Sequence, residues 1–329
     1  MYINMGAMSS TFPMVPLSRD KIVIVTGANS GTGYEIAKWN AMLGATVVMA
    51  CRSEVRAKEA MDRMNQQYRD LKAKGTQGLA DYDTLALEYM PLDLGSFKSV
   101  IQFCEDFKKS GRNIQILFAN AGLGMGPLRR TEDDFEETLQ VNYLSHFIMI
   151  AKLIHIVRRS GPDCRILLMS SAAHMFGTFD LSTMNYKGPE SSFSSFGYYA
   201  RSKLYQIMQV AAMVRRLEGS NITCFAIHPG WLDTRFAREI SGFFSFTQKI
   251  GLATGVIKSV EAGVKCSIDL CVNPKYAGSA VQYWGDGPSK ANKLARNVEK
   301  QEQLWTKTLQ LVDIHLTQEE KNAMEGKFV

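Results

Sequence analysis

The sequence predicts one doubly wound α/β domain, a parallel sheet with helices on both faces in three layers. Two observations predict it. Short β-branched runs alternate with helical patterns from residue 21 to residue 230. Such alternation needs crossovers that lay helices over both faces of a parallel sheet. A glycine-rich turn containing Gly27, Gly31 and Gly33 follows directly on the first of these runs. No internal repeat, low-complexity linker or shift in composition marks a second domain.

Each element is argued from its pattern. KIVIV (21–25) reads as a buried strand, 31–44 as a helix ending at Gly44, and TVVMAC (46–51) as the next strand. A charged helix follows over 53–74, a third strand over 84–90, and a helix over 96–110. IQILFAN (114–120) is the fourth strand, 132–158 a long helix, and CRILLMSS (164–171) the fifth strand. A helix then runs to about Glu218, and ITCFAIHPG (222–230) is the sixth strand. Residues 75–83 read as an extended surface connection. Residues 172–197 form a long Ser-, Gly- and Phe-rich one, and loops of that length tend to be functional or disordered.

The 329 residues are 46% apolar, enough for a sizeable core, and 21% charged with both signs interspersed. The net charge of +6 is mild at this length. No compact basic block supports nucleic-acid binding. The six cysteines form no C-x-x-C pair and none has a histidine at zinc-like spacing. They read as small buried hydrophobes of a reducing compartment, which predicts a cytoplasmic protein without a metal site. Residues 1–19 lack the apolar stretch of a signal peptide. FIMIAKLIHIV is too short to span a bilayer. Neither observation excludes peripheral contact with a membrane or lipid surface.

Gly27, Ala28, Asn29, Ser30, Gly31, Thr32 and Gly33 make a turn from strand into helix. Glycines there permit a close approach of backbone N–H groups to a diphosphate, and the helix N-terminus favours the anion. This is a Rossmann-type arrangement. The spacing T-G-x-x-x-G-x-G resembles the short-chain dehydrogenase/reductase family, in particular its retinol-dehydrogenase-like and WW-domain-oxidoreductase-like branch. The sequence departs at Thr32, where that group carries an apolar residue, a change expected to affect packing rather than chemistry. Arg52 stands at the tip of the second strand, where an acid would bind the ribose of NAD. A guanidinium suits a 2′-phosphate, so NADP(H) is favoured over NAD(H); the plainer reading is an Arg at the sheet edge. By resemblance Asp93 contacts the adenine, although an Asp after a strand is as often a helix cap. Asn120, Ala121 and Gly122 resemble the family's N-A-G element. The Asn that usually precedes it is Ala119 here, which implies one missing hydrogen bond.

Tyr199 and Lys203 lie four residues apart, on one face of a helix. A free phenol has a pKa of about 10, and bringing it to about 7 takes about 4 kcal/mol. The Lys203 ammonium and an oxidised nicotinamide supply that between them, and Tyr199 then serves as acid in reduction and base in oxidation. Y-x-x-x-K alone is common in helices. The resemblance adds Ser171, chosen over Ser170, as the hydroxyl that binds the substrate oxygen. It also adds Asn142 as the helical Asn that holds a water relaying protons to the lysine. Tyr198 lacks a lysine partner and reads as packing or substrate contact. His228, His146 and His174 are assigned no chemical role. Pro229, Gly230 and Thr234 resemble the family's segment that meets the nicotinamide carboxamide.

The resemblance covers residues 20–285, about four-fifths of the chain. It implies an N-terminal extension (1–19), a dehydrogenase/reductase domain (20–285) with a substrate lid at about 234–258, and a helical tail (286–329). Phe243, Phe244, Phe246, Ile250 and Leu252 either line an apolar pocket, touch a membrane or pack on the core. Met175, Phe176 and Phe179 add apolar material. The expected reaction is hydride transfer between NADP(H) and a small lipophilic alcohol or carbonyl, such as a retinoid, a steroid or a lipid-derived compound. The alternative is a catalytically weak, cofactor-binding scaffold acting through protein interaction. Many relatives are homodimers through the Tyr-bearing helix, and the residues themselves leave assembly open.

Overall fold

The computed structural model describes residues 15–230 and 259–328. Thr234 and the apolar residues of the expected lid, Phe243 to Leu252, lie outside the described residues, as does most of the N-terminal extension. The strands are β1 (Ile22–Thr26), β2 (Thr46–Cys51), β3 (Leu87–Pro91), β4 (Ile116–Ala119), β5 (Cys164–Met169), β6 (Ile222–Ile227) and β7 (Tyr283–Trp284). They form one parallel sheet in the order β3-β2-β1-β4-β5-β6-β7. Every residue of β1, β4, β5 and β6 is buried, which is why these runs are mostly apolar rather than alternating.

Helices α1 (Gly31–Met42) and α2 (Glu54–Ala73) cover one face of the sheet, where Val23 and Val25 pack with Ile36, Trp39 and Ala57. On the other face Ile22 and Ile24 pack with α3 (Phe97–Lys109), α5 (Ser145–Arg159) and α6 (Ser195–Arg216). The short α4 (Glu137–Leu139) precedes α5. From β1 the chain builds outward through β2 and β3, then crosses back to place β4 on the other side of β1. Register pairs Thr26 with Ala50 and Val25 with Phe118, so the carboxyl ends of β2, β1 and β4 lie level. A crevice at such a switch point is where doubly wound sheets bind ligands.

Besides strand ends that fall one to three residues inside the expected bounds at β4, β5 and β6, three expected elements differ in detail. The third strand starts at Leu87, not 84, because the Leu85 N–H is taken by the Asn65 side chain at 3.0 Å. The helix expected from 132 starts at Glu137. Asp134 has φ 59°, which no helix accommodates, and the Glu136 carboxylate caps the N–H groups of Thr138 and Leu139 at 2.9 and 2.8 Å. A π-helical turn, Gln140–Leu144, then leads into α5. The 172–197 connection is ordered by two 3₁₀ turns, Ala172–Phe176 and Glu190–Ser192. Tyr198 belongs to its packing: the ring stacks on Phe193 at 5.0 Å and the hydroxyl donates to the Thr183 carbonyl.

After residue 258 come α7 (Val260–Gly263) and α8 (Lys265–Val272), and after β7 come α9 (Val298–Val312) and α10 (Gln318–Met324). Helix α9 lies on α6, and α10 on α5. Trp305 of α9 is buried edge-on against Phe147 at 5.2 Å, with the Arg216 guanidinium 4.3 Å from its ring, and its N–H donates to Glu325 at 2.6 Å. The tail thus continues the core. Trp305→Ala is expected to lower stability by about 3 kcal/mol in urea denaturation, as removal of a buried indole does. A loss under about 1 kcal/mol would mean the tail is not part of the cooperative unit.

Candidate active site

The turn after β1 is shaped by steric limits. Gly27 has φ 67° and lies against Ala121, whose Cβ would be 3.0 Å from a Cβ at 27. A Cβ at Gly33 would stand 2.4 Å from the Gly27 carbonyl oxygen and 2.5 Å from Asn120 Nδ2, so α1 starts directly on the turn and β4. Gly31 has φ 57° and opens onto free space. Ser30 makes no side-chain cap, and the first turn of α1 carries no acid. Its backbone N–H groups are therefore not taken by side chains, which suits a diphosphate.

Below the turn, Thr26 gathers the strand ends. Its hydroxyl oxygen accepts the N–H groups of Asn120 and Ala121, both at 2.9 Å, and lies 3.0 Å from His146 Nε2. Asn120 Nδ2 donates to the Thr26 carbonyl at 3.0 Å. Thr32 Oγ1 donates to Asn120 Oδ1 at 2.8 Å. Thr32 is therefore more than packing: it ties the glycine turn to β4 next to Ala119, the position where a lost hydrogen bond was expected. Arg52 is exposed at the end of β2, with Nη1 4.0 Å from Asp93 Oδ2. Asp93 caps no helix, since Ser96 caps α3; its Oδ1 accepts the Gly95 N–H at 2.9 Å. Pro229 and Gly230 follow β6, and Gly230 has φ 78°.

Helix α6 begins with a Ser194 cap and carries Tyr199 and Lys203 one turn apart. Lys203 Nζ lies 5.8 Å from the Tyr199 ring centroid and donates to the Met169 carbonyl at the end of β5, at 2.8 Å. A Cβ on Gly122 would come within 3.3 Å of that ammonium and 3.0 Å of Asn142 Oδ1, so glycine lets this strand end approach both. The Ser171 hydroxyl is hydrogen bonded to Tyr199 and accepts the Ala173 N–H at 3.2 Å. Ser170 is turned away, donating to the Lys203 carbonyl at 2.8 Å. Burial brings the Lys203 pKa down to about 7 and pushes the Tyr199 phenol up, with the Ser171 hydrogen bond opposing the latter. Desolvation disfavours the charged form of each.

Asn142 is fully buried in the π-helical turn. Its Oδ1 accepts the Leu123 N–H at 2.7 Å, and its Nδ2 donates to the Leu123 carbonyl and to Ser202 Oγ, both at 3.0 Å. Its carbonyl accepts from Gln206 Nε2 at 2.8 Å and lies 3.3 Å from His146 Nδ1. His174 braces the Ser171 loop: Asn292 N–H donates to its Nε2 at 3.2 Å, and its Nδ1 lies 2.8 Å from the Ser171 carbonyl. Sequence reasoning missed Thr26, Gln206 and these two histidines. The available signal was spacing: His146 lies one turn after Asn142, and Gln206 one turn after Lys203.

Among the described residues no group of acids, cysteines and histidines could hold a metal ion, and no helix is long and apolar enough to cross a membrane. The model of the short chain dehydrogenase family matches residues 21–242. Human retinol dehydrogenase 14 is 33% identical over 272 residues, covering 82% of this chain and 79% of that protein. Human polyprenol dehydrogenase is 28% identical over 308 residues, covering 92% and 88%. Among solved structures, an uncharacterised protein from Mycobacterium paratuberculosis superposes with a TM-score of 0.69 at 24% identity, covering 91% of this chain and 96% of the other, a likeness of fold.

Two outcomes follow from this geometry. Gly33→Ala is expected to abolish dinucleotide binding, read by NADPH fluorescence titration; undiminished affinity would mean that the turn does not hold the cofactor. With Lys203 titrating near 7 in the folded state and near 10.4 unfolded, the unfolded chain binds more protons between those values. Stability then gains with rising pH across that window. The melting-temperature gap between wild type and Lys203→Met should move in favour of wild type from pH 7 to pH 10. A constant gap would count against a desolvated ammonium.

Proposed function

The chain belongs to the short-chain dehydrogenase family, and from that premise we propose that it is an NADP(H)-dependent oxidoreductase of lipophilic alcohols and carbonyls with Tyr199 as its acid/base. The observation that carries this reading is the convergence of the Tyr199 phenol, the Ser171 hydroxyl and the Lys203 ammonium at the ends of β5 and α6. The residues fit a dinucleotide: a Cβ-free cradle at Gly27 and Gly33, uncapped N–H groups from Ser30 onward, and an exposed guanidinium at Arg52. Gly27, Asn29, Ser30, Gly31, Thr32 and Gly33 would hold the diphosphate. Arg52 would hold the 2′-phosphate and Asp93 the adenine. Asn120, Ala121, Gly122, Pro229, Gly230 and Thr234 would flank the nicotinamide half.

When bound, the nicotinamide supplies or takes the hydride. In reduction Tyr199 Oη gives its proton to the substrate oxygen as the carbonyl carbon receives hydride. Ser171 Oγ hydrogen bonds the same oxygen while negative charge builds on it. The phenolate left on Tyr199 is stabilised by the Lys203 ammonium and is reprotonated from solvent; oxidation runs the steps backwards. Burial alone pushes the phenol up and the ammonium down. A bound dinucleotide would favour the charged pair by offering oxygen acceptors to Lys203 and, when oxidised, a nearby positive charge. Asn142 holds Leu123 and Ser202 in place around the lysine. A lipophilic substrate is supported by the exposed Met175 and Phe176 that follow Ser171, and by relatives named for retinol and polyprenol. A cytoplasmic protein that meets such substrates at a lipid surface, as a monomer or a homodimer, is consistent with this reading.

Tyr199→Phe is expected to reduce turnover of retinoid, steroid or polyprenol carbonyls at least about 10³-fold while NADPH binding is retained. Turnover unchanged in that variant would overturn the mechanism. NADPH binding by wild type with no turnover across the panel would favour a non-catalytic cofactor-binding role. Arg52→Asp should lower the NADPH-over-NADH preference at least about tenfold, since a charge-assisted phosphate contact is replaced by repulsion. An unaltered preference would remove Arg52 from the 2′-phosphate site.

A further inference from the structure

His146 is fully buried on α5, and the proposed chemistry does not use it. Its two nitrogens face two different parts of the site. Nε2 lies 3.0 Å from Thr26 Oγ1, and Nδ1 lies 3.3 Å from the Asn142 carbonyl oxygen. The protonation state follows from counting donors. A hydroxyl oxygen has two lone pairs and one proton. The Asn120 and Ala121 N–H groups occupy both lone pairs of Thr26 Oγ1. Its proton must therefore go to His146 Nε2, which accepts. A neutral imidazole that accepts at one nitrogen carries its proton on the other, so Nδ1–H donates to the Asn142 carbonyl. A second proton on the ring would set a third donor against Thr26 Oγ1.

We propose that His146 is a positioning residue for the dinucleotide turn, locked in the Nδ1–H tautomer between Thr26 and Asn142. This rests on the functional reading above and deepens it. By taking the Thr26 proton, the ring aims both hydroxyl lone pairs at the start of the Asn120–Gly122 segment. That holds the ends of β1 and β4 together beneath Gly27 and Gly33. Asn120 completes the brace through the Thr26 carbonyl and Thr32 Oγ1. At its other edge the ring ties the same strand ends to the π-helical turn, where the Asn142 side chain holds Leu123 and Ser202. Cofactor turn and lysine side of the cleft are thus linked through one neutral ring.

The test uses the full chain and NADPH as the probe. His146→Leu, which leaves the Thr26 proton without its acceptor, is expected to raise the NADPH Kd about tenfold, the scale of one buried hydrogen bond. His146→Gln, whose amide oxygen reaches the Nε2 position, should stay within about twofold of wild type; His146→Asn, which reaches only the Nδ1 position, should not rescue. Thr26→Val should weaken binding as His146→Leu does, and the double variant should be no weaker than either within about twofold. Ile148→Ala, a core truncation on the same helix, should leave Kd unchanged, which separates positioning from general loss of stability. The chain has five histidines, so ¹⁵N-histidine spectra can assign the tautomer of the wild-type ring directly. An Nε2–H tautomer, an unaffected Kd in His146→Leu, or equal weakening by Ile148→Ala would each overturn the inference. Wild type that binds neither NADPH nor NADH would instead bring down the functional reading and this inference with it. Binding by wild type with no effect at His146 sinks the inference alone.

Discussion

A lysine ammonium held almost wholly out of water against the last carbonyl of β5 governs the cleft. Water would solvate that charge far better than one carbonyl does, and burial draws its pKa to about 7. The neighbouring atoms are arranged around this cost. Gly122 has no Cβ to crowd Nζ, the phenol of Tyr199 stands one helical turn away, and Asn142 fixes the surrounding backbone. A ligand bringing oxygen acceptors to Nζ would offset that desolvation.

Most of the remaining polar groups around the cleft are uncharged. Thr26, Asn120, Thr32, Asn142, Ser202 and Gln206 bond to one another or to strand-end carbonyls. Two histidines serve in the same way, each in a form that accepts at Nε2. Burial pushes both below the ordinary imidazole range, His146 to about 4. Such rings act as rigid connectors rather than proton carriers at neutral pH. His146 joins strand ends to α5, and His174 joins the Ser171 loop to Asn292 in the tail. The tail therefore bears on the active-site loop through Asn292, whose backbone N–H meets His174 Nε2 and whose side chain donates to the His174 and Met175 carbonyls.

The charged pair at the end of β2 is a contrast. Arg52 and Asp93 meet at 4.0 Å on the surface, where an ion pair is weak and easily exchanged. An arginine so loosely held is available to a phosphate.

By itself the sequence determined the strand and helix order, the place of the glycine turn, and the shared helix face of Tyr199 and Lys203. All three are local: continuous β-branched runs mark buried parallel strands, and a four-residue spacing sets two side chains one above the other. Resemblance alone favours Ser171 over Ser170; the tertiary structure supplies the physical reason, since one residue of extended chain turns the Ser170 hydroxyl to the Lys203 carbonyl instead. It alone showed the late start of the 137–159 helical stretch, where positive φ at Asp134 and the Glu136 cap override helical periodicity. Thr26 and Thr32 stood out only as members of the turn motif, and His146 not at all. Their roles come from hydrogen bonds that span 88 to 120 residues of chain, and such partners exist only once the sheet has brought the ends of β1 and β4 together against α5.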